Sequence, residues 1–125
     1  MSSHPAVPDG VLTTLRAAGA RFALVFGSHA RGDAHEGSDL DIAAYFTEPA
    51  PAPFEVLLPV GVDLVVLNRA SLAITGPVSF EGVPILRDDE AALINWLAMT
   101  CKIYADELPR IRRSIAEYQA AILHG

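Results

Sequence analysis

Three aspartates stand inside otherwise apolar runs: Asp39 and Asp41 in SDLDIAAYF, and Asp63 in VDLVVL. Each run reads as a strand. Alternate side chains of a strand share a face, so Asp39 and Asp41 project together. If the run carrying Asp63 pairs beside them, a third carboxylate joins that face. Three carboxylates within about 6 Å repel one another by roughly 3 kcal/mol per pair at an effective dielectric of about 20. Such a cluster does nothing for stability, and protons or a divalent cation must relieve it. Oxygen ligands with no His or Cys companion suit Mg²⁺ or Mn²⁺ rather than zinc. The simpler reading, alternating aspartates on the outer face of an edge strand, fits poorly with the apolar flanks and with what precedes them.

What precedes them is FGSHARGDAHEG. Gly27 directly follows an apolar run, where a side chain would obstruct approach of a phosphate to the backbone. Ser28 offers a hydroxyl and, where a helical turn begins, a backbone N–H. Arg31 has a planar fork that fits phosphate oxygens or braces the loop onto the sheet. Ser38 either contributes to the site or hydrogen-bonds the loop into place. His29, Asp33, His35 and Glu36 could suggest a second metal site, but in a solvated loop such residues are usually just polar, and no role is assigned to them. A glycine-containing loop that holds phosphates, next to carboxylates that hold metal on the same phosphates, is the arrangement used for in-line phosphoryl or nucleotidyl displacement.

The elements that must position these residues are legible in part. Residues 1–7 read as a loose tail. Asp9 is the expected cap of a short helix with Leu12, Leu15 and Ala18 at helical spacing, stopped by Gly19. Ala20 to Phe26 reads as a buried strand, His29 to Gly37 as a loop opening with one helical turn, and Ser38 to Phe46 as the acidic strand. Pro49, Pro51 and Pro53 break regular structure; Phe54 to Leu58 fits a short helix or a strand. A third strand spans Val62 to Leu67. A weak helix follows from Ala70 to about Ser79, disturbed by Gly76 and Pro77, and then an edge strand from Val83 to Leu86. From Asp89 onward the chain reads as helix, with Pro109 expected to kink or restart it. Leu108, Ile111, Ile115, Tyr118 and Ile122 form an apolar stripe, either for packing on the sheet or for a partner. Trp96 is expected in the core. The expected architecture is a single α/β (α+β) domain over residues 1–125, with a small mixed sheet, helices on one side and the acids on the open side. Residues 89–123 form its C-terminal helical segment.

Bulk properties narrow the function. A chain of 125 residues, 51% hydrophobic, fits one folded domain. The net charge is −6, with Lys102 the single lysine and eight arginines, three of them clustered at Arg110, Arg112 and Arg113. That balance disfavours a long nucleic-acid substrate, which must be neutralised by basic side chains. The arginine cluster reads as a solvated helix face. One cysteine, Cys101, excludes an internal disulfide and suits a reducing cytoplasm. No apolar run approaches the roughly 18 residues of a membrane helix, and the N-terminus has no signal-peptide pattern.

Gly27-Ser28, ten residues, then Asp39-Leu40-Asp41-Ile42 resemble the Gly-Ser-x10-Asp-x-Asp signature of the DNA polymerase β-like nucleotidyltransferase superfamily. The fuller string GSHARGDAHEGSDLDI is similar to that of its minimal nucleotidyltransferase (MNT) group, and VDLVVLNRA resembles the segment carrying the third carboxylate. The resemblance runs from about Leu24 to Leu86. It implies a nucleotidyltransferase fold. Asp39 and Asp41 would hold two Mg²⁺ ions, Asp63 would complete the metal site and help deprotonate an acceptor hydroxyl, and Gly27 and Ser28 would cradle the triphosphate of ATP. Arg31 and Ser38 would support nucleotide binding. Small MNT proteins often pair as antitoxins with a HEPN-domain toxin and adenylylate a tyrosine on it, so the resemblance implies a HEPN partner and a protein hydroxyl acceptor. Two other readings remain open: a binding module that neutralises its partner by occlusion, and transfer to a small molecule such as an aminoglycoside. The proline-rich connector between the second and third strands is shorter than the helix relatives often carry there.

Overall fold

The structure, a computed structural model, describes residues 6–35 and 37–124; most of the expected N-terminal tail, residues 1–5, and Glu36 lie outside the described residues. Four strands form one mixed sheet in the order β3-β2-β1-β4, and four α-helices flank it. β1 (Ala20–Phe26) and β2 (Leu40–Phe46) are central and antiparallel. β3 (Val62–Val66) runs parallel to β2, and β4 (Val83–Leu86) pairs antiparallel with β1 at the other edge. Pro84, which cannot donate to a ladder, sits on that edge strand as expected.

The central strands are apolar on both sides because both faces are covered. On one face Ala23 and Val25 of β1 and Ile42, Ala44 and Phe46 of β2 pack with Val11 and Leu15 of α1 (Val11–Ala17). On the other, Phe22, Leu24 and Ala43 pack with Val78 of α3 (Leu72–Glu81) and Leu93 of α4 (Glu90–His124). Helices therefore cover both faces, not one. The apolar pair Val11 and Leu15 makes even a helix this short a lid. Trp96 lies at the edge of the second core, its ring 5.8 Å from that of Phe22.

Several local expectations are corrected. The N-cap of α1 is Gly10, at φ +85°, and not Asp9; a left-handed entry is open to glycine at little steric cost. The acidic strand begins at Leu40, one residue after Asp39. The undecided stretch after the prolines contains a single 3₁₀ turn, Pro53–Glu55. α3 continues through Pro77 to Glu81. Pro109 does not interrupt α4: both it and Ala105, whose carbonyl loses its usual partner, are exposed, so water can satisfy that carbonyl.

α3 and α4 meet at Gly76, where a Cβ would lie 2.1 Å from the ring of Tyr104, and Cys101 Sγ donates to the Ser79 carbonyl at 3.3 Å. α4 starts where the Asp89 carboxylate accepts from the Ala92 N–H at 3.0 Å and from Arg21. These two bonds hold the Asp89 carboxyl below its ordinary range. In the apolar stripe Leu108 and Ile111 are half-buried, and Ile115, Tyr118 and Ile122 are exposed. The arginines at 110, 112 and 113 are exposed, Arg110 pairing with Glu107. Among the described residues no helix is long and apolar enough to cross a membrane.

Candidate active site

The acids assemble where β1 ends and β2 and β3 begin. In the parallel pairing of β2 and β3, Asp41 stands directly opposite Asp63. Paired residues of neighbouring strands lie about 5 Å apart and share a face. On the other side Asp41 faces Phe26, the last residue of β1. By alternation this is the face of Ala43 and Tyr45, the one that carries α3 and α4. The acids thus occupy the helix-bearing face, at its open end, rather than a bare face. Asp39 and Asp63 are exposed and Asp41 is half-buried.

Burial raises the Asp41 pKa above the ordinary carboxylate value, and the charges of Asp63 and Asp39 raise it further; His29 and Arg31 pull the other way. Asp63 and Asp39 are therefore each within electrostatic reach of Asp41. Among the described residues, however, no three His, Cys, Asp or Glu side chains are already gathered closely enough to hold a metal ion. The same holds for His29, Asp33 and His35. Clefts of about 400 Å³ beside α1 and β4, and about 300 Å³ beside α4, include none of the three acids. The chemistry of the acids, not the depth of a cleft, marks the site.

The chain leaves β1 through Gly27, at φ +75°, and enters one helical turn, α2 (Ser28–Arg31). The Gly27 carbonyl accepts from the N–H groups of Ala30 and Arg31, both at 3.1 Å. Gly27 stands against Asp41: a Cβ there would be 2.6 Å from Asp41 Oδ2. The turn and the acid strand thus touch at the one residue without a side chain. Ser28 opens the turn, half-buried.

Arg31 has its Nε 3.3 Å from Asp33 Oδ2 and its Nη1 3.5 Å from Glu81 Oε2, which joins the loop to α3. In this arrangement it braces the loop. Ser38 is likewise engaged locally: its Oγ accepts from the His35 N–H at 3.0 Å, and its own N–H donates to the His35 carbonyl at 2.9 Å. Two residues with structural work here carried no signal in the sequence. His29 reaches the Ser38 carbonyl at 3.3 Å. Asn68 acts as a strand surrogate, its Oδ1 accepting from the Phe46 N–H at 2.9 Å and its Nδ2 donating to the Phe46 carbonyl at 2.8 Å. Both depend on bonds between distant segments, which no spacing rule encodes.

The donor set suits a hard divalent cation. It is all oxygen, and it crowds negative charge around a half-buried Asp41. The sequence profile of the family "Polymerase beta, Nucleotidyltransferase" matches residues 14–91, well over half the chain.

The chain belongs to this family.

As a member it is a nucleotidyltransferase, and its four-stranded mixed sheet with flanking helices is that of the family. No curated protein matches it significantly by sequence. Among solved structures it is similar to a chain of a toxin–antitoxin complex with AMP-PNP, at 25% identity and a TM-score of 0.57, over 84% of this chain and 95% of that one. It is also similar to a chain of a complex from Shewanella oneidensis, a tri-AMPylated HEPN toxin with an MNT antitoxin, at 22% identity and a TM-score of 0.56, over 84% and 92%. A chain of the MntA–HepT toxin–antitoxin complex matches at 22% identity and a TM-score of 0.55, over 84% and 93%.

Proposed function

We propose that this nucleotidyltransferase moves AMP from ATP, in a Mg²⁺-dependent reaction, onto a tyrosine hydroxyl of a HEPN-type toxin, and so acts as its antitoxin. The observation that carries the reading is the in-register pair Asp41 and Asp63 beside Gly27. A fold gains nothing from facing two carboxylates across a ladder unless a cation occupies the gap. The similar complexes, one containing AMP-PNP and one a tri-AMPylated HEPN toxin, support the choice of nucleotide and acceptor.

Asp39, Asp41 and Asp63 would hold the metal. Bound there, Mg²⁺ would neutralise charge on the triphosphate and lower the pKa of an acceptor hydroxyl. Gly27 and Ser28, at the start of the turn, would cradle the triphosphate. Asp63, exposed on the edge strand, would complete the metal site and help deprotonate the acceptor hydroxyl. Arg31 can exchange its exposed carboxylate partners for a phosphate. Ser38 keeps the loop in register with Asp39.

The test is intact-mass analysis of a HEPN partner incubated with the chain, ATP and Mg²⁺. The expected result is a partner heavier by whole AMP units, with no gain for Asp39→Ala or Asp41→Ala. A partner that is neutralised at unchanged mass would replace this reading with occlusion.

A further inference from the structure

The ten-residue spacer between Gly27-Ser28 and Asp39 is closed on itself. His29, the second residue of α2, donates from Nε2 to the Ser38 carbonyl at 3.3 Å, a partly buried bond spanning nine positions. The Ser38 carbonyl and the Asp39 amide belong to one planar peptide unit. Holding that carbonyl therefore fixes the plane from which Asp39 departs. The same residue is held from the loop side, through its Oγ and N–H, by His35. At its other end His29 is built into the turn whose N–H groups hold the Gly27 carbonyl. Asp39 lies just ahead of β2, outside the regular strand. One imidazole thus joins the turn that contacts Asp41 to the residue that precedes Asp39.

We propose that His29 is a positioning residue: it sets the separation between the Gly27-Ser28 turn and Asp39, so that phosphates held by the turn and a cation held by the acids come within reach of each other. The inference rests on the reading of the three acids as metal-holding. His29 does not act as a proton acceptor through Nε2, because that nitrogen is committed to the Ser38 carbonyl. What the position requires is an N–H donor at the end of a side chain of this length. Glutamine supplies one; leucine fills the space without one.

The experiment compares the full-length chain with His29→Leu and His29→Gln. Mn²⁺ binding is measured by calorimetry without nucleotide, and the Mg²⁺ dependence of AMP transfer is measured alongside. His29→Leu is expected to weaken Mn²⁺ binding about tenfold, the usual effect of removing a group that orients a metal ligand. Its Mg²⁺ half-saturation should rise by a similar factor, with transfer recovering at high Mg²⁺. His29→Gln should stay within about threefold of the parent, since it restores a single neutral hydrogen bond. A His29→Leu chain that binds Mn²⁺ like the parent would overturn the proposal. So would a His29→Gln chain as impaired as His29→Leu. A parent chain that binds no Mn²⁺ would instead overturn the metal reading of the acids and the role of His29 with it.

Discussion

Gly27 and Asp41 meet through an atom that glycine lacks: a Cβ on Gly27 would stand 2.6 Å from Oδ2 of Asp41, and the backbone there is at φ +75°. The turn and the acid strand cannot approach this closely with any other residue. Gly27→Ala is expected to strain the backbone by about 1–2 kcal/mol and to push the Asp41 carboxylate aside. AMP transfer should fall at least about a hundredfold, the scale set by misplacing a catalytic group by an ångström. Denaturant unfolding and initial-rate measurements check the two effects separately, and a variant that melts early yet transfers AMP at the parent rate would contradict the contact.

The charge on Asp41 works against the fold. Its pKa is raised, by burial first and then by Asp63 and Asp39. A carboxyl raised in the folded state binds its proton more tightly there than in the unfolded chain. Its contribution is therefore complete below the unfolded value, near pH 4, and is lost as pH rises through the folded value. Asp41→Asn should abolish transfer and yet melt higher than the parent at pH 7 in EDTA. The gap should close as pH falls to about 4. Melting curves across pH 3–8 test this, and a gap independent of pH would show that the charge is not its cause.

Arg31 holds two exposed carboxylates, those of Asp33 and Glu81. Exposed ion pairs contribute about 0–1 kcal/mol, so Arg31→Ala should barely move the melting temperature. If the guanidinium transfers to a phosphate when ATP binds, the same variant should raise KM for ATP about tenfold, the effect of one charge-assisted hydrogen bond. Glu81→Gln, which removes a competing anion, should leave KM unchanged or lower it. Equal KM values for Arg31→Ala and the parent would leave Arg31 as a loop brace.

Gly76 serves packing and not chemistry. A Cβ on it would enter the ring of Tyr104, with the nearest carbon at 2.1 Å. Gly76→Ala should destabilise by about 1–3 kcal/mol through overpacking of the α3–α4 seam. Adding Tyr104→Leu should recover part of that loss, so the two changes are expected to be non-additive in urea unfolding.

The parts of this molecule that the sequence makes legible are those governed by local pattern. The run ARFALVF is apolar apart from Arg21, and it forms a central strand covered on both faces, with the expected bounds. The apolar runs around Asp41 and Asp63 mark two strands, and only the strand order was needed to bring these two acids opposite each other. What was not legible depends on distant partners. Val11 and Leu15 show an amphipathic helix but not which face of the sheet receives it. Pro109 signals a break by its chemistry, yet its exposure on α4 leaves the freed carbonyl open to water. His29 and Asn68 look like ordinary polar loop residues until Ser38 and Phe46 are brought beside them. Asp39 falls outside the strand that its alternation suggested.

The unbroken course of α4 has a hydrodynamic consequence. Its 35 residues make a rod about 50 Å long, whereas a compact chain of this length has a radius of gyration of about 14 Å. The rod outreaches the globule that carries it. Rotation about its axis should be faster than end-over-end tumbling, and small-angle scattering should return a maximum dimension well beyond that of a sphere of equal mass. The chain should therefore elute from a sizing column ahead of its true mass, an anisotropy that could pass for self-association unless mass is measured by light scattering.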